Sequence, residues 1–257
     1  MKKRRPPRAW FGTPGAPDPA ALAGPKGLTA EVLRGDGDEG HSLGARDWQF
    51  YWSLLTPERK ARILSVVGAR LNSLTVVLDR LLDPHNTAAI LRSSEGLGLA
   101  RAHVIPHEQE DALAHRRVTQ DAHKWLDVEL HESGAAAALA LRAQGFQVWA
   151  GHLGDEALLY TELPADRPLA LLFGNEHEGP FAETLRACTG TFRIPMAGFT
   201  QSLNVSVAAG IALAQVAGGR RAQLQAAGDL SQAERVLLQE RFTLLAARLF
   251  RRVKPAG

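Results

Sequence analysis

Short apolar runs alternate with amphipathic stretches through the middle of the chain. From Leu74 onward, runs such as "LTVVLD", "AHVIP", "FQVWAG" and "PLALLFG" are rich in β-branched and apolar residues, which predicts buried strands. The stretches between them, such as "HNTAAILRSSEGLG" and "SGAAAALALRAQG", have helical spacing and end on glycine. This alternation predicts an α/β fold, with a mostly parallel sheet flanked by helices. Residues 116–127 are predicted to be irregular, and a long helix is predicted from about Leu203 to Ala226.

The two ends of the chain have a different pattern. Residues 1–46 are rich in glycine and proline and are predicted to be mostly irregular. Residues 47–71 have helical spacing, with Thr56 as a helix N-cap ahead of a proline. We expect residues 72–227 to form the main domain and residues 228–257 to end in a basic helix with an apolar stripe.

The distribution of charge is more informative than the net charge of +3. Residues 1–8 carry five basic side chains, and residues 235–254 carry six against one acid, Glu240. Positive ends suit a polyanion such as RNA, although a solubilising tail and a solvated helix face explain them equally well. The single cysteine, Cys188, excludes an internal disulfide framework and favours the cytoplasm. We expect neither a membrane span nor a secretory signal.

Several common kinds of site are missing from the sequence. It contains no P-loop and no nucleophile elbow, and the glycine-rich stretch at Gly96 follows a helix rather than a strand. His103 and His107 are close in sequence, but the residues between them are predicted to end a strand. We therefore expect no metal site.

Three polar loops remain, each at the carboxyl end of a predicted strand, where open α/β sheets bind their ligands. They are "DPHNTAAILRSSEGLG", "LLFGNEHEGP" and "IPMAGFTQSLNVSVAAG". Their candidate catalytic residues are Asn86, Arg92, Glu176, Ser202 and Asn204. Because the three loops occur together, a shared site is a better explanation than three independent structural roles.

Two of these residues also have a purely structural explanation. Asn86 could be a helix N-cap, since amide side chains favour that position. Arg92 could form a surface ion pair with Glu95 or Asp79. Either explanation is reasonable for one residue taken alone.

The three loops resemble the sequence motifs of the SpoU/TrmH family of RNA ribose 2′-O-methyltransferases, in the SPOUT superfamily. In that family, the first motif has an Asn followed by an Ala-Ile-x-Arg-like run, the second has Gly-x-Glu after an apolar strand, and the third reads Ile-Pro-Met and then Ser-Leu-Asn-Val-Ser. The order and spacing agree, and the resemblance extends from about Leu71 to Ala227. The stretch "AHKWLDVELH" resembles the tRNA branch of the family.

The resemblance implies a fold, a cofactor and an assembly. It implies that the chain around the second and third motifs forms a trefoil knot, that the knot binds S-adenosylmethionine, and that the helix after "QSLN" packs against a second subunit in a homodimer. Small residues on this helix, Ala208, Ala209, Gly210 and Ala212, would permit close packing. The cofactor is expected to contact Gly151, Phe173, Gly174, Ile194, Met196 and Leu203.

The resemblance also implies the reaction and its substrate. It gives Arg92 the central role in methylating a ribose 2′-hydroxyl, most simply that of a D-loop guanosine in tRNA. Phosphate contacts are expected from Arg116, Arg117, Lys124, Arg220, Arg221 and the basic ends of the chain. The alternatives are a 23S ribosomal RNA methyltransferase and a noncatalytic RNA-binding protein with the same fold.

Overall fold

The computed structural model describes residues 48–107 and 122–252. Seven parallel strands form one sheet, in the order β3-β2-β1-β6-β4-β7-β5. They are β1 (Leu71–Asp79), β2 (Leu99–Ile105), β3 (Asp127–Leu130), β4 (Gln147–Gly151), β5 (Leu158–Leu159), β6 (Leu169–Phe173) and β7 (Gly190–Arg193). The predicted parallel α/β sheet is confirmed.

Eight α-helices and one short 3₁₀ helix accompany the sheet in the described part of the chain. They are α1 (Trp48–Ser53), α2 (Pro57–Gly68), α3 (Pro84–Gly96), α4 (Ala122–Trp125), α5 (Gly134–Ala143), the 3₁₀ helix (Tyr160–Glu162), α6 (Ala182–Ala187), α7 (Val205–Leu224) and α8 (Gln232–Arg252). Thr56 caps α2 as predicted, since its hydroxyl accepts a hydrogen bond from the Arg59 amide at 3.3 Å. None of the helices in residues 48–107 and 122–252 has the length and apolar character needed to cross a bilayer.

Successive residues of β1 contribute to opposite faces of the sheet, so the sheet has two cores. Val76 and Leu78 lie in one core, together with Leu213 of α7. Val77 lies in the other core, together with Leu141 of α5. Because both faces are covered, the central strand has no solvent-exposed face, and all nine of its residues are buried, including the polar Ser73 and Thr75.

The helices before and after the sheet pack on each other in a third apolar cluster. Ile63 of α2 packs there with Phe242 of α8 and with Ala100 from β2. Arg70 lies beneath them, 1% exposed, where it forms an ion pair with Glu95 at 2.8 Å. The helices predicted within residues 47–71 and 228–257 therefore pack together in one cluster that reaches β2 at Ala100.

The segment 116–127, which the sequence predicted to be irregular, is regular at its described end. It contains α4 and the first residue of β3, and no strand was predicted at 127–130 from the sequence. Residues 127–130 form β3, an edge strand paired with β2. None of the four is fully buried, so the segment lacks the apolar run that identifies the inner strands. The long helix begins at Val205 rather than Leu203, because Asn204 is its N-cap.

Candidate active site

The three polar loops meet at the carboxyl ends of the strands. β1 and β6 are neighbours, and their last paired residues are Leu78 and Phe173, so the loops that follow them start side by side. The Asn86 amide nitrogen donates to the Glu176 carboxylate at 2.8 Å. The Asn204 amide nitrogen donates to the Asn86 amide oxygen at 3.1 Å. One residue from each loop thus takes part in a continuous hydrogen-bonded chain.

Glu176 also fixes the start of the first loop. Its carboxylate accepts hydrogen bonds from the main-chain amides of Leu82 at 2.8 Å and Asp83 at 3.3 Å. Burial alone would raise the pKa of Glu176, but the hydrogen bonds from Leu82 and Asn86 outweigh it and lower the pKa. The side chain is therefore an anion at neutral pH that holds two loops together.

Asn204 has a second role as the N-cap of α7. Its side-chain oxygen accepts from the Ser206 amide at 2.8 Å and the Val207 amide at 3.4 Å. The same oxygen accepts from the Ser206 hydroxyl at 2.6 Å. The polar residues at the start of α7 therefore cap the helix and connect it to the first loop. Ser202 is exposed two residues before the cap.

Asn86 and Arg92 lie on different sides of α3. Asn86 is buried, whereas Arg92 is exposed six residues later, about 120° around the helix axis. The alternative that made Asn86 an N-cap is wrong, because Asp83 caps α3 by accepting from the His85 amide at 2.8 Å. Glu95, one of the two partners suggested for Arg92, forms an ion pair with Arg70.

The expected cofactor residues lie around the ends of β4, β6 and β7. Gly151 ends β4, and a methyl group added there would touch the rings of Phe173 and Phe192 at 3.5–3.6 Å. Those two rings pack edge to face, with centroids 5.8 Å apart. Ile194, Met196 and Leu203 are half-buried in the segment between β7 and α7. The ends of β4, β6 and β7 thus bring Gly151, Phe173 and Phe192 together.

The turn after β6 closes too tightly for a side chain at its first residue. A Cβ atom on Gly174 would lie 2.3 Å from the Pro180 nitrogen. Asn175 shapes the turn, since its side-chain oxygen accepts from the His177 amide at 2.9 Å and the Glu178 amide at 3.3 Å. The glycine pattern of the second motif therefore has a steric reason.

A cavity of about 250 Å³ adjoins this turn. Arg80 and Phe181 line it, and the Arg80 guanidinium lies 3.9 Å from the centre of the Phe181 ring. Arg80 has a φ of 54°, a backbone conformation that non-glycine residues seldom adopt. Neither residue was predicted from the sequence to line a pocket, because nothing in the local pattern distinguishes an arginine after a strand from a surface arginine.

The predicted phosphate contacts have mixed outcomes. Arg116 and Arg117 lie outside the described residues. Lys124 is half-buried on α4. Arg220 is 1% exposed and donates to the Ser73 hydroxyl at 2.7 Å, so its prediction as an RNA contact is wrong. Its guanidinium stabilises the junction of α7 with β1, which a pattern of basic residues cannot reveal.

Arg221 and Arg241 are also engaged inside the protein. Arg221 donates to main-chain carbonyls of Leu97 at 2.7 Å, Ala227 at 2.8 Å and Ala69 at 3.1 Å. Arg241, in the basic C-terminal segment, donates to the Leu126 carbonyl at 3.0 Å. These two arginines therefore join α7 and α8 to main-chain carbonyls just outside the strands.

Comparison with known proteins identifies the family. The model of the SpoU rRNA Methylase family matches residues 73–214, more than half of the chain. The chain belongs to this family. The match includes all three loops of the candidate site.

Individual SpoU-family members agree with this assignment. A tRNA (guanosine(18)-2′-O)-methyltransferase of Thermus thermophilus is 36% identical over 158 residues, which cover 62% of this chain and 81% of that protein. The crystal structure of the Aquifex aeolicus TrmH/SpoU tRNA modifying enzyme has a TM-score of 0.66 at 29% identity, over 74% of this chain and 96% of that chain. An AdoMet-bound rRNA methyltransferase from Sinorhizobium meliloti has a TM-score of 0.51 at 28% identity, over 60% and 59% of the two chains.

Proposed function

We propose that this SpoU-family protein transfers a methyl group from S-adenosylmethionine to a ribose 2′-hydroxyl of RNA, and that its substrate is a D-loop guanosine of tRNA. The observation that carries the proposal is the hydrogen-bonded chain from Asn204 through Asn86 to Glu176, which brings the three family motifs into one site. The name of the Thermus relative supports tRNA as the substrate.

The residues around the three strand ends suit the proposed cofactor. Gly151 and Gly174 have no side chains, so a ligand could approach the main chain there. The apolar surface that an adenosine requires would come from Phe173, Ile194, Met196 and Leu203. When bound, S-adenosylmethionine supplies a sulfonium-activated methyl group. The AdoMet-bound Sinorhizobium structure supports this assignment.

In the proposed reaction, the ribose oxygen forms a bond to the methyl carbon as the carbon–sulfur bond breaks. The hydroxyl proton leaves to a phosphate oxygen or to water. Arg92 is the residue we assign to this step. A guanidinium is a poor base, so its proposed role is to clamp the RNA phosphate and stabilise the developing alkoxide. Ser202 and Asn204 position the reacting ribose, and Glu176 and Asn86 hold the loops that carry them.

We further propose a trefoil knot and a homodimer. The sheet places β4 between β6 and β7, so the connection from β6 to β7 passes over β4, an order that a threaded connection would also have. For the dimer, support comes from α7, where Val207 and Ile211 are 49% and 37% exposed on one face. Of the small residues expected at this interface, Ala209 and Ala212 are instead fully buried in the protomer's own core.

The predicted division of the chain remains a proposal. We propose that residues 72–227 form the catalytic unit, that residues 47–71 and 228–257 support it, and that the protein acts in the cytoplasm. The segment 1–46 lies outside the described residues. Its basic start is proposed to add phosphate contacts.

A methyl-transfer assay on defined RNAs tests the proposed function. The purified protein is incubated with tritiated S-adenosylmethionine and either a tRNA transcript or 23S ribosomal RNA, and the modified ribose is mapped. Label on the D-loop guanosine is the expected result. If only the ribosomal RNA is labelled, the proposed reaction stands but the substrate is ribosomal RNA and not tRNA. RNA binding without label would favour the noncatalytic alternative.

A further inference from the structure

Two histidines and a glutamate meet on the outer strands of the sheet, away from the three motifs in sequence. His103 of β2 is paired in register with Glu129 of β3. His131 follows β3 directly and extends it, since its amide donates to the Val104 carbonyl at 3.1 Å. Alternate residues of a strand share a face, so Glu129 and His131 both lie beside His103.

The donor atoms of the three side chains form a compact triangle. His103 Nδ1 and His131 Nε2 are 2.9 Å apart. The Glu129 carboxylate lies 3.5 Å from His103 Nδ1 and 3.7 Å from His131 Nε2. Donors about 2.0–2.1 Å from a tetrahedral zinc ion are spaced about 3.3 Å apart. The triangle therefore matches zinc coordination after shifts of a few tenths of an ångström.

The two nitrogens that would face the ion are the ones joined by the hydrogen bond between the rings. One of them donates and the other accepts, so a single proton lies between His103 Nδ1 and His131 Nε2. Binding of a cation by both nitrogens requires each ring to carry its proton on its other nitrogen. For His103, which is 1% exposed, that nitrogen is Nε2, and it has no hydrogen-bond partner among the described residues.

The chemistry of the three side chains suits a divalent transition metal. Each side chain offers one donor atom, and these atoms all lie within 4.8 Å of one another. Imidazole nitrogens and carboxylate oxygens are both ligands that zinc takes in proteins. Glu129 supplies one negative charge, which partly offsets the nearby Arg101.

We propose that His103, Glu129 and His131 bind one divalent transition-metal ion, with zinc the best match to two imidazoles and a carboxylate. The Glu129 side chain is 44% exposed, so a water molecule can complete the coordination. The ion would join His131 and β3, a four-residue edge strand, to the buried β2. This role is structural, and it stands independently of the proposed methyl transfer.

Metal titration of the full chain tests the proposal. Chelator-treated protein is titrated with Co²⁺, followed by its visible absorption, and with Zn²⁺ by calorimetry. One equivalent is expected to bind, to give the absorption of a low-coordinate site with nitrogen ligands, and to raise the Tm. Glu129→Gln and His131→Ala are expected to weaken binding by at least the roughly 10–100-fold cost of an outer-shell change. These positions are chosen because the more deeply buried His103 is more sensitive to substitution.

Two matched variants control for adventitious binding. Glu132→Gln removes an exposed acid close in sequence to the cluster, and His152→Ala removes a histidine elsewhere. Both are expected to bind one equivalent as the unmodified chain does. Absence of saturable binding, or binding that survives both Glu129→Gln and His131→Ala, would overturn the proposal.

Discussion

Asn86 holds the candidate active site together through both ends of its amide. Its nitrogen donates to Glu176 and its oxygen accepts from Asn204. Neither aspartate nor leucine could replace it, because aspartate has no donor and leucine has neither group. An asparagine at this one position thus connects three loops that are far apart in sequence.

We expect methyl transfer to depend on the forked shape of the Arg92 guanidinium as well as on its positive charge. Arg92→Lys and Arg92→Ala should each lower the rate of methyl transfer by roughly a hundredfold or more, because a lysine cannot reproduce a forked guanidinium contact. Affinity for S-adenosylmethionine should be unchanged. Single-turnover transfer of tritiated methyl and calorimetry with the cofactor measure the two effects. Arg62→Lys, on the exposed side of α2, is the control, and full activity in Arg92→Ala would refute the assignment.

Glu176 gives the site a dependence on pH. Its pKa is lowered in the folded protein, so its stabilising contribution is present above the ordinary value of 4.5 and is lost as the pH falls through the lowered value. Glu176→Gln should cost about 1–2 kcal/mol of unfolding free energy at pH 7. It should also flatten the loss of stability on acidification. Urea unfolding at several pH values measures both effects. The same loop supplies the control, Glu178→Gln, and equal profiles for the two variants would contradict this role.

Among the elements, α7 shows how one helix serves two environments. Ala209, Leu213 and Val216 face the protomer's own core, while Val207 and Ile211 are exposed on another side. Small apolar residues occur on both sides. The helix therefore looks uniformly buried in the sequence, although only one side is buried within the protomer.

The turn that follows β6 has no room for an added methyl group at Gly174. Gly174→Ala should destabilise the protein by about 1–3 kcal/mol and weaken cofactor binding, because its Cβ would overlap the main chain at Pro180. Gly198→Ala is the matched control, since a Cβ there would lie 4.0 Å from the Thr200 hydroxyl. Thermal unfolding and cofactor titration compare the two variants. Similar Tm values for both would show that the turn can relax.

For the whole molecule, the ends of the chain stabilise the sheet. Asp229, after α7, accepts hydrogen bonds from the main-chain amides of Asn72 and Ser73, and Ser73 in turn accepts from Arg220. Glu234 of α8 accepts from the Asn72 side chain at 3.1 Å. The start of β1 is thereby fixed by residues 147 to 162 positions away in sequence.

Assembly into a dimer is expected to depend on the exposed side of α7. Val207→Glu and Ile211→Glu should shift the protein toward monomer, because each places a charge in an apolar contact. Sedimentation equilibrium measures the change. Val236→Glu on α8 introduces the same charge at a residue of similar exposure, 42%, and should leave the assembly intact. A dimer in all three variants would place the interface elsewhere.

Binding of RNA to the whole protein is expected to weaken steeply with salt. If several phosphates are contacted, affinity for tRNA should fall roughly a hundredfold or more between about 50 and 200 mM salt, because bound cations are released on association. Filter binding across this range measures the slope. An affinity that does not change with salt concentration would contradict the proposed phosphate contacts.

The sequence by itself determined the inner strands, the helices between them and the identity of the three site loops. These features are local: a strand buried on both faces is rich in apolar residues, and a turn position that excludes a Cβ must be glycine. Gly174 and the run of β6 satisfy both conditions within a few residues. Thr56 and its following proline determined the start of α2 in the same way.

Only the tertiary structure decided which side chains with the same local signature share an environment. Arg220 and Arg92 are both arginines on helices, yet one is sealed against Ser73 and the other is exposed. His103 and His131 are 28 positions apart in sequence, and only the pairing of β2 with β3 makes them neighbours. The physical reason is that burial and long-range pairing depend on the packing of whole elements, whereas composition and spacing report on neighbours along the chain.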